Sequence, residues 1–74
     1  MFYKVKYHYE VIGWDTPNQE AYHSNCTTKQ DALRVAGKMK DKFRYMEVCK
    51  VAVDAEDENN YLGDELIESY GQEF

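Results

Sequence analysis

Four side chains in this sequence have the chemistry of metal ligands, or of a nucleophile with its base: His8, His23, Cys26 and Cys49. Imidazole and thiolate are ligands that zinc prefers, and Cys with His is the pair used by thiol enzymes. His23 and Cys26 are three residues apart, so on a strand they point to opposite faces. The sequence contains no paired-cysteine zinc signature and no glycine-rich phosphate loop. We therefore predict no enzyme activity, no metal site and no cofactor, and interpret the four residues as strand histidines and packed cysteines.

The last part of the sequence is strongly acidic. Residues 54–74, "DAEDENNYLGDELIESYGQEF", contain eight carboxylates and no Lys or Arg, whereas residues 1–53 have a net charge of +3. Carboxylates at this density can imitate the phosphates of a nucleic acid, and aromatic side chains among them can anchor an interface that charge steers. We predict that the segment binds a partner through Glu56, Asp57, Glu58, Tyr61, Asp64, Glu65, Glu68 and Tyr70. Two alternatives are a solvated surface and a regulatory tail that covers a basic patch of the same chain.

Basic side chains are concentrated just before that segment. Residues 29–44 include Arg34, Lys38, Lys40, Lys42 and Arg44. Cations with aromatic residues between them are typical of a phosphate-binding edge. The alternative prediction is therefore a small nucleic-acid-binding or regulatory domain that uses the basic helix 29–44. Because the acidic segment would repel the same ligand, the leading expectation is that the chain binds no nucleic acid directly.

The elements that must position these residues begin with a strand. From Tyr3 to Val11, apolar side chains occupy the odd positions and polar ones the even positions, which is the period of a half-buried strand. Residues 13–19, "GWDTPNQ", have the composition of a loop. Residues 20–26 then form a plausible returning strand, so the sequence predicts an antiparallel hairpin.

A helix and a third strand are expected next. Thr28, three residues before Asp31, predicts a helix start, and apolar side chains at helical spacing extend the helix to Phe43. Gly37 weakens a helix, so we expect a strand to approach closely there. Residues 44–54 are rich in strand-forming residues, but their apolar phase changes midway. That change predicts either a bulge or a strand buried on both faces.

The acidic segment has two structural interpretations. Asp64 can cap a short helix through Tyr70 that stops at Gly71, and the competing interpretation is a short strand at Tyr61. In both cases the sequence predicts an α+β fold: a small, mostly antiparallel sheet in the order β-β-α-β, one main helix packed on one face, and a short acidic C-terminal element. We expect one domain over residues 1–74, with a ββαβ core over 1–53 and the acidic segment over 54–74.

Size and composition narrow the class of protein. The chain has 74 residues, of which 43% are hydrophobic, enough for one small core. No stretch approaches the roughly 20 apolar residues that span a bilayer, and the first residues lack the apolar run of a signal peptide. Two cysteines do not suggest a secreted disulfide scaffold. We therefore expect a cytoplasmic protein that does not bind membranes.

The order of patterns "FYKVKYHYEV", "TTKQDALRVAGKMKDKF" and "YMEVCKVAV" resembles small phage-encoded anti-CRISPR and other anti-defence proteins. Within the helix the similarity is carried by Ala32, Arg34, Val35, Ala36 and Lys38. The resemblance implies a stoichiometric inhibitor that binds a host protein with a basic nucleic-acid-binding groove, such as a CRISPR effector, as a nucleic-acid mimic in the host cytoplasm. The same pattern is also similar to peptidoglycan-binding SPOR domains, which normally follow a membrane anchor. The acidic segment differs from the anti-CRISPR pattern, so only the inhibitory role is carried over.

Overall fold

The computed structural model describes residues 4–72. Tyr3 of the first predicted strand, and Glu73 and Phe74 of the acidic segment, lie outside this range. The described elements are β1 (Val5–Thr16), β2 (Gln19–Cys26), α1 (Lys29–Met39), a 3-10 turn (Lys40–Lys42), β3 (Tyr45–Asp54) and β4 (Asp57–Gly71). The four strands form one sheet in the order β2-β1-β3-β4, and each adjacent pair is antiparallel. The predicted α+β fold is confirmed, with one strand more than the predicted order contained.

The hairpin of β1 and β2 is tighter than the sequence predicted. The strands continue through most of the expected loop, and only Pro17 and Asn18 form the turn. The pairing shifts register on either side of Trp14. The Trp14 ring lies 5.7 Å from the ring of Tyr45 on β3, and this contact holds the end of β1 in the sheet. The loop predicted over residues 13–19 is therefore wrong at all but its two turn residues.

Helix α1 begins where its cap predicted. The Thr28 hydroxyl accepts a hydrogen bond from the Asp31 amide at 3.2 Å, which satisfies one of the free N–H groups of the first turn. Ala32 and Ala36 are fully buried against the sheet. The α-helix ends at Met39, earlier than predicted, and the chain tightens into the 3-10 turn before Phe43.

The core on the helix side is built from α1, β1 and β3. Val11, Met46 and Val48 are fully buried together with the two helix alanines. Because directly opposed residues of antiparallel strands share a face, the pairs Val11–Val48 and Gly13–Met46 place this core on one side of the sheet. We call this side the helix face and the other side the open face.

Strand β3 buries side chains on the helix face in its first half and on the open face in its second half. Its pairing with β1 has no register shift, so Met46 and Val48 lie on the helix face whereas Val51 and Val53 lie on the open face. The exposed fractions of Val51 and Val53 are only 4% and 5%. The phase change in the sequence therefore comes from a change in which face is covered. The bulge lies in the facing strand β4, where Ile67 is inserted opposite the Val48–Cys49 step.

The acidic segment forms a long edge strand. β4 pairs with β3 from Asp57 to Gly71, so the short helix predicted from Asp64 to Tyr70 is wrong. The competing interpretation, a strand at Tyr61, is confirmed, although the strand is much longer than expected. Leu62, Ile67 and residues 58–60 are skipped in the pairing, and these three irregularities break the period of two that would have marked a strand in the sequence.

Two glycines provide a matched test of this fold. Gly71 ends β4 with φ of +88°, and a Cβ there would lie 2.2 Å from the Arg44 carbonyl oxygen. In contrast, a Cβ at Gly37 would meet nothing within 4 Å, so the close approach expected at that position is wrong. We predict that Gly71→Ala lowers the free energy of unfolding by more than about 2 kcal/mol, whereas Gly37→Ala raises it by about 0.5–1 kcal/mol. Urea unfolding of both variants checks this, and equal effects would contradict the position of β4.

Candidate functional site

The open face of the sheet is the surface with the richest chemistry. The helix α1 packs on the opposite side, although the β3 side chains Val51 and Val53 are nearly buried on the open face. The pairing fixes its members: Glu10 lies opposite Cys49, and Ile12 lies between His23 and Glu47. On β4, Asp64 lies opposite Val51, and Leu66 lies opposite Cys49. All four strands therefore contribute side chains to one surface.

Charge is unevenly distributed on the open face. Among residues 4–72, five carboxylates reach it, and the cations are one lysine and the two histidines when protonated. The carboxylates are Glu10, Glu20, Glu47, Glu58 and Asp64, and the basic residues are Lys6, His8 and His23. Such a surface attracts a basic partner over a distance of about one Debye length, roughly 8–10 Å in physiological salt.

Glu10 is the centre of a polar cluster. Its carboxylate oxygens lie 2.9 Å from His8 Nε2 and 2.5 Å from His23 Nε2. The other ring nitrogen of His23, Nδ1, lies 3.3 Å from the Glu20 carboxylate. The Glu10 side chain is only 20% exposed, so both imidazoles donate to a carboxylate that is largely shielded from water. The cluster fixes the orientation of both imidazole rings.

Aromatic side chains occupy one end of the open face. Trp14 and Tyr45 pack ring against ring, and the Tyr45 hydroxyl donates a hydrogen bond to Glu47 at 3.0 Å. Tyr45 is buried and Trp14 is half-buried. A rigid aromatic pair beside an oriented carboxylate is a combination that interfaces favour, since the ring area adds contact at a low entropic cost.

The middle of the open face is apolar and lies among carboxylates. Burial, followed by the negative charges of Glu47, Asp64 and Glu10 in that order, raises the pKa of the Cys49 thiol to about 11. The bulge at Leu62 brings Tyr61 to the same face as Asp64, and a hydrogen bond to the Asp64 carboxylate raises the pKa of Tyr61. Tyr61 and Leu66 are 58% and 52% exposed, so contact area is present beside the acidic side chains.

The far end of the open face is bridged from β1 to β4. Lys6 forms an ion pair with Glu58 across the intervening strand β3, where Val53 lies opposite both Lys6 and Tyr61. The hydrogen bond from Lys6, followed by its positive charge, lowers the pKa of Glu58. Both side chains are more than half exposed, so the pair contributes little to stability.

The predicted partner-binding residues do not form one surface. Glu58, Tyr61 and Asp64 reach the open face. Glu65 lies opposite Lys50, and Glu68 and Tyr70 lie opposite the core residues Val48 and Met46. Tyr70 packs against the core, where burial and then the Glu68 carboxylate raise the pKa of its hydroxyl. Glu56 and Asp57 lie at the turn between β3 and β4, and the Asp57 carboxylate accepts from the Asn59 amide.

The basic residues of the alternative prediction lie on the other layer of the molecule. Arg34, Lys38, Lys40 and Lys42 are exposed on α1 and the 3-10 turn, and Arg34 pairs with Asp31 at 2.8 Å. Arg44 is exposed just before β3, and its amide donates to Asp15. The cations of the helix and the carboxylates of the open face are therefore separated by the sheet.

The four residues with possible metal or nucleophile chemistry are divided between the faces. His8, His23 and Cys49 reach the open face, whereas Cys26 lies opposite Tyr9 and packs against the core on the helix face. The prediction that His23 and Cys26 point to opposite faces is confirmed. Within residues 4–72, no three His, Cys, Asp or Glu side chains are grouped so that they could hold a metal ion.

Sequence reasoning missed Glu10, Glu20 and Glu47 as members of the acidic surface. The signal for Glu10 was present, because it shares the polar phase of β1 with His8. Glu20 and Glu47 could be placed only with the strand register, which brings β2 and β3 to either side of β1.

Comparisons with known proteins gave no match: no family model, no curated protein and no solved structure is similar to this chain. Among the helices that the described residues form, none has the length and apolar character needed to cross a membrane.

The raised pKa of Cys49 leads to a test of the open face. The thiolate is the reactive form, so a pKa of about 11 in place of 9.0 lowers the reactive fraction about 100-fold below pH 8. We predict that Cys49 in a Cys26→Ser variant reacts with iodoacetamide about 100-fold more slowly in the folded protein than in urea. The folded rate should still rise at about pH 10, and a plateau near pH 9 would contradict the burial and the nearby carboxylates.

Proposed function

We propose that this protein is a non-enzymatic inhibitor that docks the open face onto a basic, nucleic-acid-binding surface of another protein and thereby blocks it. The observation that supports the proposal most is the grouping of five carboxylates from four strands on one face, with aromatic side chains at its end and no covering helix. Charge of this kind accelerates and orients encounter, and the half-buried Trp14 ring supplies contact area.

The strand pairing changes which residues we propose for the site. The sequence placed the whole site within residues 56–70, but the strand pairing distributes those carboxylates over both faces and a turn. The site proposed now combines Glu58, Tyr61 and Asp64 with Glu10, Glu20 and Glu47 of the other strands. Trp14 and Leu66 supply its apolar contacts.

The class of partner follows from charge and from the resemblance to anti-CRISPR proteins. A surface that binds nucleic acid is rich in Lys and Arg, and these side chains pair with carboxylates as they do with phosphates. A host defence protein with such a groove is the partner that the resemblance favours. Stoichiometric occupation of the groove excludes the nucleic acid.

Displacement from an immobilised polyanion tests the proposal. Bacterial lysate is bound to heparin resin, and the protein is added to elute proteins whose basic groove it occupies. We predict that Glu10→Gln with Glu47→Gln raises the protein concentration needed for half-elution at least about tenfold, because two charged contacts are lost. The control pair Asp41→Asn with Glu56→Gln removes the same amount of charge from the 3-10 turn and from the β3–β4 turn. It should change the concentration needed for half-elution less than about twofold.

The same experiment also distinguishes a site on the open face from the site that the sequence predicted within residues 56–70. A large effect of the Asp41 and Glu56 pair, together with no effect of the Glu10 and Glu47 pair, would overturn the assignment to the open face. Circular dichroism of each variant establishes that the sheet is intact, since Gln and Asn keep the size of Glu and Asp and one oxygen acceptor.

A second candidate is supported by the cations of the helix layer. Lys38, Lys40 and Lys42 are exposed on the side of the sheet opposite the open face, so the acidic cluster does not occupy them. This candidate is the nucleic-acid-binding domain that uses helix 29–44. The inhibitor proposal predicts no binding of a fluorescent DNA duplex at low salt. Salt-sensitive binding that Lys38→Gln with Lys42→Gln removes would establish the second candidate instead.

A further inference from the structure

Strand β4 has a backbone edge with no strand beside it among the described residues. The sheet order places β4 at one side, where it pairs with β3 only. Alternate N–H and C=O groups on its outer side therefore face away from the sheet. Such an edge is a template for the addition of another strand.

The usual protections of an edge are only partly present in β4. It is the longest strand, with fifteen residues, and it contains no Pro, Lys or Arg. The bulges at Leu62 and Ile67 and an irregularity over residues 58–60 interrupt it, but Gly63–Leu66 and Glu68–Gly71 keep a regular pairing with β3. Helix α1 packs on the other strands, with Ala32 and Ala36 against Val11 and Val48. A stretch of regular edge is therefore accessible.

The negative charge of β4 favours the addition of a basic strand at its edge. β4 carries five carboxylates and no cation: Asp57, Glu58, Asp64, Glu65 and Glu68. A second copy of β4 would place carboxylates opposite carboxylates, which is unfavourable. A strand with Lys or Arg would instead place opposite charges across the new pair, and the exposed Leu66 and Leu62 would contact its apolar side chains.

We propose that β4 binds an extended Lys- and Arg-bearing segment of a partner protein as a fifth strand of the sheet, centred on residues 63–71. The inference rests on the proposed function for the positive charge of the partner, but it uses the edge of β4 and not the open face. Main-chain hydrogen bonds supply affinity, and Glu65 and Glu68 select basic side chains.

Hydrogen exchange measured by NMR tests this inference with a defined probe. The probe is a capped peptide of alternating Val with Lys or Arg, and its control has the same charges but Pro in place of two Val residues. We expect the alternating peptide to slow the exchange of alternate amides within residues 63–71 at least about tenfold, and to leave β2, the other edge, unchanged. Equal slowing by the proline peptide, or slowing in β2 alone, would overturn the inference.

Variants distinguish failure of this inference from failure of the proposed function. Glu65→Gln with Glu68→Gln should weaken peptide binding at least about fivefold, whereas Glu10→Gln with Glu47→Gln on the open face should change it less than twofold. Protection of β4 without added peptide that grows with protein concentration would show that a second copy occupies the edge, and would overturn the inference. Heparin displacement by the Glu65 and Glu68 variant reports on the open face separately.

Discussion

The antiparallel pairing of β4 with β3 is the interaction on which the rest of the structure depends. Without it, Val51 and Val53 would be exposed at the edge of a three-stranded sheet, and the Lys6–Glu58 pair that spans β3 could not form. The pairing also determines where each carboxylate of the acidic segment lies. Because side chains alternate along a strand and the two bulges shift that alternation, Tyr61 and Asp64 share the open face although they are three residues apart.

The sheet separates two opposite distributions of charge. On one side, α1 and the turn that follows it expose lysines around a small core of Val11, Met46 and Val48. On the other side, burial and then the carboxylates of Glu47, Asp64 and Glu10 raise the pKa of the Cys49 thiol. A net charge of −5 describes neither side, and a partner meets one face at a time. The charge that a surface of this molecule presents is therefore set by its face of the sheet, and not by the total charge or by the acidic segment as a unit.

The sequence predicted the elements whose signals are local. The alternation of β1 and the cap at Thr28 lie within a few residues, and both were placed correctly. For β4 the sequence left a short helix and a short strand as alternatives, because the bulges leave Leu66, Ile67 and Tyr70 at spacings that a helix also produces. The open face could not be predicted, because Glu10, Cys49 and Leu66 meet only through the register of three strands. Local composition likewise indicated a loop at Trp14, whose contact with Tyr45 keeps it in the sheet.

The most direct test of the central claim is an NMR titration with octa-arginine that observes the side chains of the open face. The imidazole signals of His8 and His23 and the indole signal of Trp14 report on this surface. The account predicts that these signals shift together and saturate at one peptide per chain, and that added salt reverses the shift, while amides of α1 remain unchanged. Shifts confined to the β3–β4 turn, with the imidazole and indole signals unmoved, would contradict it.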